Sequence, residues 1–255
     1  MIPKVIHYCW FGGKPLPLYA IKCIESWRKF FPDYIIKEWN ESNFNVDIIP
    51  YTHEAYQASK YAFVSDYARF WILFNYGGVY FDTDVEVVKD MRDLIARGNY
   101  LGKEAGVPLF RFGKNFTCIN PGLGMAVSPK NDLLKAALDI YAASHFINED
   151  GTFNTKTIVT ITTELLIDRG YLSQEGMQEI DGWYLYPEDF FCPKNYYTGE
   201  CLLTNNTYSI HHYDASWKTK KEKLKKRIVK FLGRDITLML VKIKQLYDRY
   251  CYCNL

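Results

Sequence analysis

Residues 65–84 read SDYARFWILFNYGGVYFDTD, and the remainder of the chain is organised around this stretch. Its first ten residues predict a helix that is apolar on nearly every face, and Gly77-Gly78 supply the left-handed stop of a helix-to-strand turn. The apolar residues that follow predict a strand, on which Asp82 and Asp84 stand two apart and share one face. The stretch therefore predicts a helix, a tight turn and a strand that carries two neighbouring carboxylates.

Two carboxylates on one strand face repel each other, and one of them has to take up a proton unless a cation lies between them. Carboxylate oxygens, completed by water and substrate phosphates, are the usual ligands of Mg²⁺ or Mn²⁺ in phosphate-handling enzymes. A solvated strand end is the alternative explanation for a D-x-D sequence taken alone. Upstream, Asp66 and Arg69 share a helix face, where they form either a structural ion pair or part of a polar site.

Three stretches together resemble glycosyltransferase family 32. Residues 62–84 resemble its sugar-binding D-x-D region, residues 2–13 (IPKVIHYCWFGG) its opening strand, and residues 210–217 (IHHYDASW) its closing motif. The family includes bacterial capsular and cell-surface polysaccharide transferases and is similar to the catalytic domain of the large glucosylating bacterial toxins. Three separate motifs in the family's order make the resemblance far more specific than the D-x-D sequence alone.

The resemblance implies an α/β protein with the GT-A type nucleotide-diphospho-sugar transferase fold, in which a mixed, mostly parallel central sheet is flanked by helices. It implies a metal-dependent glycosyltransferase that retains the anomeric configuration. Such an enzyme moves a hexose from a nucleotide-sugar, which we expect to be UDP-linked, to a growing capsular or cell-surface polysaccharide. The expected partners are therefore the nucleotide-sugar donor and a glycan or lipid-linked oligosaccharide acceptor.

The resemblance also implies roles for individual residues. The donor-binding positions are Tyr8, Trp10, Asp66, Arg69, Tyr80 and Asp82. Mn²⁺, or Mg²⁺, would be held by Asp82, Asp84 and His211, with His212 as the fallback for the histidine. The catalytic set joins Asp82 and Asp84 to Ser216 and Trp217, which would close over the diphosphate. From the pattern alone, core packing explains Trp10 as well as base stacking does, and a strand-end histidine is typical of a structural role.

One segment departs from the family's pattern. Many members carry a Thr-Gly-Pro sequence that lines the donor pocket, whereas this chain has Thr162-Thr163-Glu164. The departure leaves the sugar open and keeps an inactive sugar-nucleotide-binding protein as an alternative. A metal-dependent phosphohydrolase is the other alternative, although it would need further His or Asp ligands. Asn120 resembles a family asparagine, and it is also typical of a residue that caps a turn.

Composition and cysteine usage agree with one α/β catalytic domain in a reducing compartment. The chain has 255 residues, of which 48% are hydrophobic, so it can bury a large core. Its start lacks the pattern of a secretory signal. The seven cysteines include no Cys-x-x-Cys pair, which favours free thiols and a cytoplasmic location.

The remaining periodicity predicts further elements on either side of the central stretch. Strands are predicted at residues 4–10, 33–39 and 208–211, and helices at 18–30, 91–97 and 130–146. A helical stretch at 53–75 has a break near Lys60 left open. Glycines punctuate residues 99–127, which indicates hairpins. The aromatic residues of 180–193 are predicted to pack in the core.

The last part of the chain differs in charge from the rest, so we divide it into a catalytic domain, residues 1–217, and a basic helical tail, residues 218–255. Residues 218–249 hold twelve Lys or Arg against three acids, a net charge of +9, which leaves −7 for the remainder. Two amphipathic stripes indicate either helices packed on the body or a peripheral anchor on an anionic membrane. No nucleic-acid-binding motif accompanies the basic residues, so we do not expect nucleic acid as a partner.

Overall fold

In the computed structural model, which describes residues 1–196 and 198–213, an eight-stranded sheet forms the centre of the protein. The described residues form the strands β1 (Val5–Cys9), β2 (Ile35–Trp39), β3 (Gly78–Tyr80), β4 (Val85–Val87), β5 (Asn99–Arg111), β6 (Lys114–Asn120), β7 (Met125–Val127), β8 (Gln178–Ile180), β9 (Trp183–Tyr186) and β10 (Ser209–His211). The central sheet has the order β2-β1-β3-β7-β5-β9-β8, with β6 paired to β5, while β4 and β10 form a second, two-stranded sheet.

Most strands of the central sheet run in one direction. Strand β1 is parallel to β2 and β3, and β5 is parallel to β9. Strand β7 is antiparallel to both β3 and β5, so these two strands share a direction. Five of the eight strands therefore run the same way. The predicted mixed, mostly parallel sheet is confirmed.

Helices cover both faces of this sheet. They are α1 (Leu18–Phe30), α2 (Pro50–Gln57), α3 (Tyr61–Tyr76), α4 (Arg92–Arg97), α5 (Asp132–Ala142), α6 (Ile158–Ile167) and α7 (Glu188–Phe191). Helices α2, α3, α5 and α6 contribute to one hydrophobic cluster. Helices α1, α4 and α7 contribute to the other, together with the small sheet. The predicted flanking helices are confirmed, and the break near Lys60 that the sequence left open is present, separating α2 from α3.

The double glycine closes α3 as predicted. Gly77 has φ 63°, and its N–H donates to the Leu73 carbonyl at 2.8 Å. A Cβ on Gly78 would lie 2.7 Å from the carbonyl oxygen of Val5, so β3 could not approach β1 with a side chain there. These two positions therefore require glycine for the turn and for the sheet that follows it.

The predicted strand through the two aspartates is wrong. Strand β3 ends at Tyr80 and β4 begins at Val85. Between them, Asp82 and Asp84 lie in a turn, which is closed by a hydrogen bond from Val85 N–H to the Asp82 carbonyl at 3.0 Å. The physical reason is that β3 belongs to the central sheet whereas β4 pairs with β10. The chain passes from one sheet to the other at this point, and a continuous strand could not do so.

Several expectations concern other parts of the chain. Within residues 1–196 and 198–213, five cysteines are free thiols, as predicted: Cys9, Cys23, Cys118, Cys192 and Cys201. Trp183, Tyr186 and Phe191 are buried, which confirms the predicted aromatic core. None of the described helices combines the length and the apolar character that crossing a bilayer requires. Ser216, Trp217 and the basic tail lie outside the described residues.

Candidate metal and donor site

Two aspartates and a histidine converge where the two sheets meet. Strand β10 pairs with β4 so that His211 stands opposite Val85, and this register brings the imidazole beside Asp84. The candidate ligand atoms of Asp82, Asp84 and His211 all lie within 4.8 Å of one another. His211 Nε2 is 3.1 Å from Asp84 Oδ1. Burial opposes protonation of His211, but the Asp84 carboxylate raises its pKa. The cluster therefore favours a bound cation, whether a proton or a metal ion.

The donor atoms of this cluster fit a divalent metal. Two carboxylates and one imidazole form a ligand set that suits Mn²⁺, and water and substrate phosphate complete it in phosphate-handling enzymes. His212 is directed elsewhere, because its Nε2 lies 2.8 Å from Glu86 Oε2. Its backbone N–H donates to the Asp84 carbonyl at 2.9 Å. Of the two adjacent histidines, it is the side chain of His211 that joins the cluster.

Arg69 forms the second half of the site. Its Nη2 lies 3.0 Å from Asp66 Oδ1 and 3.3 Å from Asp82 Oδ1. The guanidinium also lies over the ring of Tyr80, 4.9 Å from its centroid. Burial opposes the charged form of Arg69, but the neighbouring carboxylates raise its pKa. Both explanations left open for Asp66 and Arg69 therefore apply at once: they form an ion pair, and that pair adjoins Asp82.

Asp82 is held from several sides. Tyr80 donates its hydroxyl hydrogen to Asp82 Oδ1 at 3.1 Å, and Arg69 Nη1 donates to Oδ2 at 3.4 Å. Asp66 is held in a similar way, since its Oδ2 accepts the N–H of Ile158, the first residue of α6, at 3.1 Å. Burial raises the pKa of Asp66 to about 6, and Arg69 opposes that rise. Four of the six predicted donor-binding residues thus form one hydrogen-bonded group.

The other two predicted donor-binding residues contact different neighbours. Tyr8 donates its hydroxyl hydrogen to Glu38 Oε2 at 2.6 Å, and its ring packs edge-on against Trp27. Trp10 follows the end of β1 and is half-buried, with its Nε1 donating to the Lys14 carbonyl at 2.5 Å. Their roles in donor binding stay predictions.

The sequence did not indicate that Gly122 contacts Asp82. The N–H of Asp82 donates to the Gly122 carbonyl at 3.1 Å, and a Cβ on Gly122 would lie 2.0 Å from Asp82 Oδ2. Asn120 Oδ1 in turn accepts the N–H of Gly122 at 2.7 Å. Asn120 therefore caps this turn, as one of its two interpretations predicted. The sequence Asn120-Pro121-Gly122 is typical of a turn, but it does not reveal what the turn contacts.

A buried carboxylate near this turn was also missed. Glu104 lies on β5, where it accepts a hydrogen bond from the Tyr213 hydroxyl at 3.1 Å. The segment Thr162-Thr163-Glu164, where the family pattern is not kept, lies within α6. Thr162 and Thr163 are buried there, and Thr163 Oγ1 accepts the N–H of Ile119 at 2.9 Å.

Comparisons with known proteins agree with this site. Residues 17–101 match the family described as glycosyltransferase sugar-binding region containing DXD motif. This segment holds Asp66, Arg69 and the Asp82-Thr83-Asp84 turn. An uncharacterised glycosyltransferase, L373, of Acanthamoeba polyphaga mimivirus is 24% identical over 228 residues, which cover 82% of this chain and 83% of the viral protein. The sequence comparisons support an enzyme of the glycosyltransferase class.

Three solved glycosyltransferase structures are similar at low identity. The PaToxG glycosyltransferase is 19% identical with a TM-score of 0.47, over 66% of this chain and 69% of that chain. A glycosyltransferase involved in glycosylation of the major capsid of PBCV-1 is 12% identical with a TM-score of 0.45, over 89% and 99%. The galactosyltransferase LgtC, in complex with donor and acceptor sugar analogues, is 13% identical with a TM-score of 0.45, over 91% and 95%.

Proposed function

We propose that the protein is a metal-dependent, retaining glycosyltransferase that moves a hexose from a UDP-linked sugar to a growing cell-surface or capsular polysaccharide. The observation that carries this proposal is the convergence of Asp82, Asp84 and His211 beside the buried Arg69. Asp82, Asp84 and Arg69 belong to the segment that matches the DXD family, and His211 joins them from β10. The donor base, the acceptor and retention of configuration rest on the resemblance to glycosyltransferase family 32.

Each residue of the cluster has a separate task in this proposal. Asp84 and His211 would hold Mn²⁺ or Mg²⁺ directly. Asp82 would contact both the metal and the donor, in the orientation that Arg69 and Tyr80 impose on its carboxylate. The chemistry that a bound divalent cation supplies here is neutralisation of the charge that develops on the leaving diphosphate.

Arg69 and Asp66 would bind the sugar. A guanidinium presents donors in a fixed planar array, and Asp66 presents acceptors, so together they match a row of sugar hydroxyls. Both side chains are already ordered by their mutual contact, so little side-chain entropy would be lost when the donor binds. Trp10 would stack on the base, and Ser216 and Trp217 would close over the diphosphate.

A panel of nucleotide-sugars tests this proposal. We expect Mn²⁺-dependent hydrolysis of at least one of them, and the same compound should raise the melting temperature. When an aspartate of the cluster is replaced, Asp139→Asn is the matched control, because Asp139 is exposed and pairs with Lys135 away from the cluster. Release of phosphate from simple phosphate esters would favour a phosphohydrolase instead. A shift in melting temperature without turnover of any donor or acceptor would favour an inactive binding protein.

We further propose that the enzyme is cytoplasmic and that its tail, residues 218–255, places it on the inner face of an anionic membrane. The net charge of +9 on residues 218–249, against −7 on the remainder, would direct the tail toward the lipid. A lipid-linked acceptor would be presented at that surface.

A further inference from the structure

Glu104 is a buried carboxylate that the proposed mechanism does not use. It lies on β5 with a relative exposure of 8%. Burial raises its pKa, while His211, Asn120 and Tyr213 lower it. Removing a carboxylate from water is costly unless hydrogen bonds compensate for the lost hydration. The partners that compensate Glu104 are therefore informative about its role.

One partner, Tyr213, connects Glu104 to His211 of the Asp82–Asp84–His211 cluster. Tyr213 donates its hydroxyl hydrogen to Glu104 Oε1 at 3.1 Å, and its ring packs on the imidazole of His211 with a centroid distance of 4.3 Å. Among the described residues, His211 Nδ1 finds no hydrogen-bond partner although it is buried. The orientation of this imidazole accordingly depends on Asp84 and on the Tyr213 ring.

The backbone of Tyr213 has a strained conformation, which the contacts of its hydroxyl group can stabilise. Its φ is 55°, in the left-handed region that an aromatic residue rarely adopts. Such a conformation persists only where the surroundings enforce it. The hydroxyl lies 3.1 Å from Glu104 Oε1 and 2.9 Å from Cys192 Sγ. These contacts hold the ring, and with it the face presented to His211.

The second partner, Asn120, connects Glu104 to Asp82 of the same cluster. Strand pairing places Asn120 opposite Gly102, two residues before Glu104, and the Asn120 side chain lowers the pKa of the Glu104 carboxyl. Because Asn120 Oδ1 accepts the N–H of Gly122, the group that Asn120 can offer to Glu104 is its amide nitrogen. Gly122 in turn accepts the N–H of Asp82 and lies directly against its carboxylate.

We propose that Glu104 is a positioning residue for the metal cluster, because it joins Tyr213, which orients His211, to the Asn120–Gly122 turn, which orients Asp82. This inference rests on the proposed function, in which these two residues are metal ligands. Residues behind metal ligands fix ligand orientation, and their loss typically costs about 10–100-fold in metal affinity or activity. A carboxylate suits this place because its two oxygens can accept from both partners at once.

The test is Mn²⁺ binding to the full-length protein, measured by calorimetry without any donor. For Glu104→Gln, which keeps the shape but replaces an acceptor oxygen with a donor, we expect Mn²⁺ to bind about 10–100-fold more weakly. Tyr213→Phe should weaken binding in the same direction, since it removes the hydroxyl and keeps the ring. The two changes should be less than additive in the double variant, because they break one chain of contacts.

Glu188→Gln is the matched control. Glu188 is a partly buried carboxylate whose pKa is also raised by burial, but its charged neighbours are Lys103 and Asp189. This variant should keep the Mn²⁺ affinity of the wild type. If Glu104→Gln does not fold, Tyr213→Phe decides the question alone.

Two results would overturn the inference, and they differ. Wild-type Mn²⁺ affinity in folded Glu104→Gln and Tyr213→Phe, with only a lower melting temperature, would make Glu104 a purely structural residue and leave the proposed function intact. If the wild-type protein neither binds Mn²⁺ nor hydrolyses any nucleotide-sugar, the proposed function fails and the inference fails with it.

Discussion

Replacing Gly122 by alanine should impair the metal site far more than the fold. Its φ is not in the left-handed region, so alanine meets no backbone strain there. By restricting the unfolded chain, such a change can even stabilise a protein by about 0.4–1 kcal/mol. The added Cβ, however, would lie 2.0 Å from Asp82 Oδ2, whereas ordinary contact begins at 3.4 Å. The carboxylate would have to recede by about 1.4 Å.

A displacement of that size is large for a reacting site. A misplacement of about 1 Å can cost about 10²-fold in rate, and loss of ligand orientation costs about 10–100-fold in metal affinity. We therefore expect Gly122→Ala to need at least tenfold more Mn²⁺ for half-maximal donor hydrolysis, and to keep a melting temperature close to that of the wild type. The measurements are a Mn²⁺ titration of hydrolysis and a thermal melt.

Gly102→Ala separates this effect from general crowding. Gly102 also has no positive φ, and a Cβ there would lie 2.7 Å from Phe191 Cδ2 in the core. Overpacking of that kind costs about 1–3 kcal/mol of stability, and it should leave the Mn²⁺ requirement unchanged. Wild-type Mn²⁺ dependence and rate in Gly122→Ala would refute the argument, because Asp82 would then have no need of its observed position.

Four further predictions follow from the site, the core and the tail. Asp84→Asn should keep the fold and reduce donor hydrolysis to the level measured with excess chelator; full turnover in chelator would contradict the metal requirement. Trp10→Ala should weaken binding of the nucleoside diphosphate by about 1–3 kcal/mol in calorimetry if the ring stacks on the base, whereas a core role would instead cost about 3–5 kcal/mol of stability in denaturant melts. Burial lowers the pKa of His7 to about 4, so the folded state binds fewer protons than the unfolded state between pH 6.5 and 4, and stability falls as the pH drops through that range. In denaturant melts, the free energy of unfolding of the wild type should therefore fall relative to that of His7→Gln by up to about 3 kcal/mol from pH 7 to pH 4. A constant difference between the two proteins would contradict a neutral buried imidazole. Full-length protein should bind anionic vesicles in a salt-sensitive way, because the membrane field decays within about 8–10 Å at ordinary salt. A chain ending at Trp217 should lose this binding and keep donor hydrolysis. Salt-insensitive binding would argue against electrostatic docking.

The elements that the sequence predicts well are those specified by local chemistry. Helix α1 has the predicted bounds, and the stop at Gly77 follows from the need for positive φ at the end of α3. The buried aromatic residues near Trp183 were likewise expected from composition. In each case the residues that determine the structure are close neighbours in the chain, so one window of sequence contains the cause.

The path of the chain through the two aspartates depends on partners that are distant in sequence. The run around Asp82 and Asp84 is apolar enough for one strand, but the pairing of β4 with β10 draws Val85 out of the central sheet. The contact between Gly122 and Asp82, and the hydrogen bond between Tyr213 and Glu104, also join distant segments. Periodicity carries no information about such pairings, so the sequence could not predict them.

The two aspartates converge although the geometry that predicted their convergence is wrong. On a strand they would share a face because side chains alternate, whereas in the observed turn they converge because Val85 N–H closes back on the Asp82 carbonyl. In the turn, unlike on a strand, the two carboxylates have different surroundings. Asp82 is held by Arg69 and Tyr80, and Asp84 faces His211 on the side of the small sheet. This separation supports the roles we propose, with Asp82 shared between metal and donor and Asp84 on the metal.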